Sequence, residues 1–183
     1  MKKVVSIIIL ILMVIGLTNT SQEVRDRAFI QSISIQSDNN NVYTSVKLYG
    51  DTNIYKGIGN DIETSLQSAE TRQGKVFFSG HTEMIIFQED SFSNDILKYI
   101  VKYKKISPKC SVVVSSGEVL DTETAYSILE TYDRLNEVNI TTASDIVKEL
   151  NSKKSIEVPY INKDLTYSTI KLSKFCWYVT NNI

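Results

Sequence analysis

Apolar and polar positions in this chain alternate in short runs whose period switches between two and about three and a half. Residues 28–36, AFIQSISIQ, place Phe29, Ser32 or Ile33, and Ile35 near a two-residue alternation. The SDNNN that follows turns the chain back into VYTSVKLYG, where Val42, Thr44, Val46 and Leu48 share one face. Two β-rich runs around an Asp/Asn turn predict a hairpin. NDIETSLQSAETRQG then carries Ile62, Leu66 and Ala69 at helical spacing, with Asn60 or Asp61 as N-cap and Gly74 as the stop.

The same reading continues to the C-terminus. KVFFSGH leads back towards the sheet, and EMIIF predicts a short buried strand flanked by charge. SFSNDILKYIVKYKK predicts an amphipathic helix with Ile96, Leu97, Ile100 and Val101 inward, ended by Pro108. CSVVVSS reads as another core strand. Two helices follow, DTETAYSILETYDRL capped by Asp121 or Thr122, and TASDIVKEL capped by Thr142 or Ser144. LTYSTIKL alternates again, and KFCWYVT reads as a closing strand, one arm of a hairpin whose partner is missing, as in a piece of a longer architecture. The predicted order is ββαβαβααββ, an α/β (α+β) fold with a mixed β-sheet flanked by helices.

The first twenty residues follow a different pattern. Lys2 and Lys3 precede an apolar run over residues 4–17, broken by Ser6. A positive segment followed by an apolar one of this length predicts a secretory signal peptide over residues 1–20. As a helix the run spans roughly 21 Å, short of the hydrocarbon core of about 30 Å. The small residues Thr18 and Thr20 make a poor cleavage site, so an uncleaved N-terminal membrane anchor is the alternative. Both place the remaining residues, 21–183, outside the cytoplasm, and their number suits one domain with its own core.

Composition narrows the function classes. A net charge of −1 argues against a polybasic nucleic-acid binder, and no nucleic-acid partner is expected. With 42% apolar and 22% charged residues, the chain is ordinary globular material. No cysteine follows Leu17 to carry a lipoprotein's diacylglycerol. Cys110 and Cys176 lie in strand-like apolar contexts, which predicts separate buried thiols although export permits a disulfide.

The residues that carry chemistry are sparse. His81 is the single histidine, and Glu83, two residues on, is the nearest potential co-ligand. In a strand the two would share a face. A zinc site needs three or four ligands and a triad needs a nucleophile on a recognisable turn, and FSGHT supplies neither. Residues 57–61, GIGND, lack the third glycine and the lysine of a phosphate loop and read as a plain turn. Asp145 and Glu149 share a helix face as solvated carboxylates. Tyr99, Tyr103, Tyr126 and Tyr132 fall at helical spacings that suit partly buried packing. Lys98, Lys102, Lys104, Lys105 and Lys109 cluster near a helix end, where they complement its dipole or contact anionic lipid. No catalytic, cofactor-binding or metal-binding residue is assigned, no cofactor is expected, and the protein is read as a non-enzyme.

EVRDRAFIQSISIQSD, RQGKVFFSGHTEMIIFQED and VPYINKDLTYSTIKLSKFCWYV together resemble segments of the N-terminal domain of the Ger(x)C family, the C subunits of spore germinant receptors. EVRDRAFIQSISIQSD is similar to the family's opening strands, with Glu23 and Val24 in place of its E-I pair and residues 33–38 over its turn region. RQGKVFFSGHTEMIIFQED resembles its R-x-L-x-F-G-H segment and the acidic step beyond, including Gly80, His81 and Glu89. VPYINKDLTYSTIKLSKFCWYV resembles the segment leading into its later strand. Thr18 stands where the family has its lipidated cysteine, the tryptophan and aspartate that follow it are missing, and the family's later domains have no counterpart in this sequence. The resemblance implies an extracytoplasmic accessory subunit of a spore germinant receptor on the spore inner membrane. It further implies membrane-embedded A- and B-type subunits and the membrane surface as partners, and no catalytic residues. An exported small-ligand-binding protein or enzyme, centred on His81 and Glu83, is the alternative.

Overall fold

The computed structural model describes residues 27–116, 122–134, 140–152 and 154–173, with the backbone of 177–180. The leader over residues 1–20, Asp121 and Cys176 lie outside the described residues. The strands are β1 (Arg27–Ser37), β2 (Val42–Leu48), β3 (Ile54–Gly59), β4 (Val76–Phe78), β5 (Met84–Gln88), β6 (Ser111–Ser115), β7 (Ile156–Ile161), β8 (Tyr167–Leu172) and β9 (Trp177–Thr180). The helices are α1 (Ile62–Gln73), α2 (Asn94–Tyr103), α3 (Thr122–Arg134) and α4 (Ala143–Asn151), with a 3-10 turn at Glu89–Ser91. The strands form one mixed sheet in the order β3-β2-β1-β5-β6-β7-β8-β9, with β4 pairing the start of β1. The fold is therefore the α+β mixed sheet flanked by helices that the hydrophobic pattern predicts.

β1 organises the sheet. Asp38 closes the hairpin to β2 by accepting from the amides of Asn40 and Asn41, both at 2.8 Å. On its other side β1 runs parallel first to β4 and then to β5. The register to β2 shifts between Ile30 and Ser32. That bulge reverses which parity faces inward, so Ala28 and Ile30 are buried before it and Ile33 and Ile35 after it. The irregular alternation of AFIQSISIQ records this shift, and it leaves Phe29 on the exposed side.

Helices cover both faces. On one, Leu66 and Ala69 of α1, Leu97 and Ile100 of α2, and Ile146 and Leu150 of α4 pack with Ile85, Phe87, Val112 and Val114. On the other, Ala125 and Leu129 of α3 pack on Met84, Ile86, Val113 and Ile161. A strand buried on both faces has to read as a continuous apolar run, and MIIFQ and SVVVS do so.

Local signals hold at the helix ends. Asp61 caps α1 in a capping box with Thr64, and Gly74 ends it at φ 78°. Thr142 caps α4 in a second box with Asp145. Asp145 is thus a capping partner, where its spacing from Glu149 suggested a merely solvated carboxylate.

Several expectations need correction. The ββαβαβααββ order omits β3, β4 and β7. Residues 57–59 are the end of β3 and not a turn, because both glycines face α1 at near contact. A Cβ on Gly57 would stand 1.9 Å from the Ser65 carbonyl oxygen, and one on Gly59 2.2 Å from Thr64 Oγ1. β7 is hidden by Pro159, which cannot donate to a ladder. The pairing to β6 begins at Tyr160, just past the proline, and the Thr141 hydroxyl bonds the Glu157 carbonyl at the strand's start. Helix α2 stops at Tyr103 rather than at Pro108, and Lys105 follows at φ 53°. The closing strand has a partner after all: β9 pairs antiparallel with β8.

Candidate functional site

Residues 79–83 lie between β4 and β5, where β1 changes partner. Phe78 aligns with Phe29 and Met84 with Ser32, so the intervening loop has far less β1 to pair with and bulges out at the starting end of the parallel strands. The loop is fastened from within. Thr82 donates through its amide (3.0 Å) and its hydroxyl (2.8 Å) to the Ser79 carbonyl, and the Ser79 hydroxyl donates to the Lys104 carbonyl. Glu83 joins three strands: its amide donates to Gln31 at 2.9 Å and its carbonyl accepts from Ser111 at 2.8 Å. His81 therefore sits on a loop, and the strand geometry expected to align it with Glu83 does not exist. Its ring packs against those of Phe29 and Phe78, at centroid distances of 5.9 and 5.8 Å.

Around this loop lies a cavity of about 430 Å³, lined among others by Tyr49, His81, Glu83, Lys109, Cys110 and Tyr126. Tyr126 reaches down from α3 and donates to Glu83 Oε2 at 3.0 Å. The Tyr49 hydroxyl donates to the His81 carbonyl at 3.2 Å. Burial, reinforced by Glu83, pushes the Tyr49 phenol up to about 12 and raises that of Tyr126 further. Burial likewise pushes the Cys110 thiol, a free cysteine, up to about 12. Both phenols stay protonated hydrogen-bond donors at neutral pH, and the thiol stays unreactive.

The hydroxyls near Glu83 and His81 are held by backbone. Ser79 and Thr82 are fastened as above, and Ser107 Oγ accepts from the Lys109 amide at 3.3 Å. None is set against a base to act as a nucleophile. Among the described residues, no group of three or more His, Cys, Asp or Glu side chains is placed to hold a metal ion. The geometry suits hydrogen-bonded capture of a polar group: one carboxylate, two phenols, a lysine and an imidazole face the same cavity.

His81 and Glu83 were singled out from sequence and do meet here. Tyr49, Lys109, Cys110 and Tyr126 were not foreseen as their neighbours. Tyr49 follows from the hairpin register, since its amide bonds the Phe29 carbonyl. Tyr126 arrives because α3 crosses the opposite face of the sheet from the other helices, which no local pattern states. Of the four tyrosines expected to be partly buried, Tyr103 is instead 61% exposed. Glu89, the acidic residue of the segment that contains His81, lies at the far end of β5 and accepts from the Tyr160 hydroxyl at 2.6 Å. It is not part of the cavity.

Residues 20–163 match the model of the spore germination protein N-terminal domain, a span that includes the cavity loop, β5 and Glu89. The chain belongs to that family. Its role accordingly lies in spore germination. No curated protein and no solved structure matches the chain. Within this germination domain the GHT loop is the part of the family-like segment that opens onto the cavity, while its MIIF run is core.

Proposed function

We propose that the chain is a non-enzymatic, extracytoplasmic accessory subunit of a spore germinant receptor, acting at the membrane surface beside membrane-embedded A- and B-type subunits. The observation that carries this reading is the family match over residues 20–163. The apolar run at residues 4–17, behind Lys2 and Lys3, supports a position outside the cytoplasm held at the membrane by residues 1–20. The cavity geometry supports a binding role, because the Ser79 and Thr82 hydroxyls are tied to backbone, the Tyr126 phenol donates to Glu83 and the thiol is protonated. Affinity purification of the tagged full chain from detergent-solubilised membranes is the test. Recovery with polytopic receptor subunits is the expected result, and recovery free of any membrane protein overturns the reading.

One observation favours a second reading, an exported small-ligand binder: the cavity that brings Glu83, His81, Lys109 and two phenols together. His81→Gln separates the two. An accessory subunit keeps its function, whereas a ligand binder loses it with the circular dichroism spectrum unchanged.

A further inference from the structure

A net charge of −1 conceals a strong separation of charge along the strand axis. At the starting end of β1, β4 and β6 stand the exposed cations Arg27, Lys75, Lys105 and Lys109, with half-buried Lys104 beside them. At the opposite end stand Asp38 after β1, Asp61 and Glu63 at the head of α1, Asp90 after β5, and Asp95 in the first turn of α2. Acidic groups at the basic end have local partners: Tyr55 and Asn53 bond Asp51, Tyr126 bonds Glu83, the Phe77 amide donates to Glu70, and Lys47 stands 4.0 Å from exposed Glu123.

The basic end also carries uncovered apolar surface. Phe29 is 38% exposed, Tyr49 42% and Val76 63%. Phe29 and Phe78 stack edge to face at 5.4 Å, with Arg27 over the Phe78 ring at 5.7 Å. Aromatic and apolar side chains ringed by lysine and arginine are the composition of a surface that settles at the boundary of an anionic bilayer.

The chain's own connectivity points this end the same way. Nine residues, 18–26, separate the apolar run from Arg27. Fully extended they reach about 30 Å. A leader held in the membrane therefore keeps the cationic end, where β1 begins, within about 30 Å of the bilayer.

We propose that this end of the sheet is a membrane-docking face that rests on anionic phospholipid, with the acidic end turned away from the bilayer. The inference rests on the proposed placement at a membrane but needs no partner subunit. Exposed Phe29, Tyr49 and Val76 enter the headgroup region, and the surrounding cations meet lipid phosphates.

The test is a lysine footprint on the full chain, reconstituted through its leader into vesicles. One set is phosphatidylcholine alone and the other contains phosphatidylglycerol. A membrane-impermeant acylating reagent labels outward-facing protein, and mass spectrometry reads each site. Lys104, Lys105 and Lys109 are expected to label several-fold more slowly on the anionic vesicles, with Lys163 at the acidic end unchanged. High salt restores their labelling. In the variant Lys75→Gln/Lys105→Gln/Lys109→Gln, the ratio of docked to undocked protein falls on the order of a hundredfold, read at Lys104. Phe29→Ser/Val76→Ser lowers it as well, and an unchanged circular dichroism spectrum verifies the fold of both variants. Equal labelling on both lipids, or slowing at Lys163, overturns the inference. Slowing that appears only with receptor subunits present also overturns it, while leaving the proposed function standing. Slowing on anionic vesicles combined with a failed co-purification supports the face and removes the receptor assignment.

Discussion

Gly57 of β3 lies directly beneath Ser65 of α1, so close that a Cβ would stand 1.9 Å from the Ser65 carbonyl oxygen and 2.9 Å from the Ala69 amide. The helix rests on bare strand backbone, and next to this contact Thr44 and Ser65 share a buried hydroxyl–hydroxyl bond of 2.9 Å. Backbone cannot step aside as a flexible side chain can. Gly57→Ala is expected to destabilise the protein by about 3 kcal/mol, the upper part of the usual overpacking range. Gly74→Ala, where the cost is a left-handed φ in open space, is expected to cost about 1 kcal/mol. Urea unfolding midpoints of the two variants check the order. Equal losses would show that α1 does not pack as closely on β3 as described.

Tyr160 is expected to contribute to an alkaline loss of stability. Burial, aided by the bond to Glu89, pushes its phenol up to about 12, against about 10 in an unfolded chain. A raised phenol pKa means that the folded state resists ionisation. The stability it contributes is complete below pH 10 and is lost as the pH rises through about 12. Tyr160→Phe is expected to be less stable at neutral pH by about 1 kcal/mol, the worth of one hydrogen bond, and to lose less of its remaining stability above pH 10. Denaturant titrations at pH 7 to 11 measure both effects. A parallel pH dependence in the two proteins would remove Tyr160 as the cause.

The Cys110 thiol is 2% exposed and raised to about 12. In a Cys176→Ser background, thiol reagents at pH 8 are expected to leave Cys110 unmodified in the native protein and to modify it fully in denaturant. Intact-mass measurement follows the reaction. Rapid native labelling would mean that the start of β6 opens to solvent.

Attachment is expected to depend on residues 1–20. Thr18 cannot form the thioether of a lipoprotein, so the apolar run is what remains for stable insertion. The full chain is expected to stay with membranes through alkaline and high-salt washes. The 21–183 truncation is expected to leave in high salt, because docking by surface charge alone is screened. Full retention of the truncation after the salt wash would show that the leader is not the anchor.

Local chemistry determined much of this molecule. Asp38 at the hairpin, the Asp61–Thr64 and Thr142–Asp145 boxes, Gly74 after α1 and the apolar runs of β5 and β6 act within a few residues, so periodicity and capping signals reveal them. The fold class could be read at that level, and the spore germination family from the resemblance of whole segments such as RQGKVFFSGHTEMIIFQED. So could the prominence of His81 and Glu83. What tertiary structure decided is everything that depends on contacts far apart in sequence. β3 and β7 were hidden because their glycines and proline argue against strands until α1 packs on Gly57 and β6 pairs beyond Pro159. The bulge at Ile30–Ser32 exposes Phe29, and the passage of β1 from β4 to β5 expels residues 79–82 from the sheet. The crossing of α3 over the second face then brings Tyr126, from 43 positions away, to Glu83. Charge is the clearest instance: a nearly neutral composition gives no hint of polarity, and it is parallel pairing that gathers the lysines before β6 and the carboxylates after β1 and β5 at opposite ends.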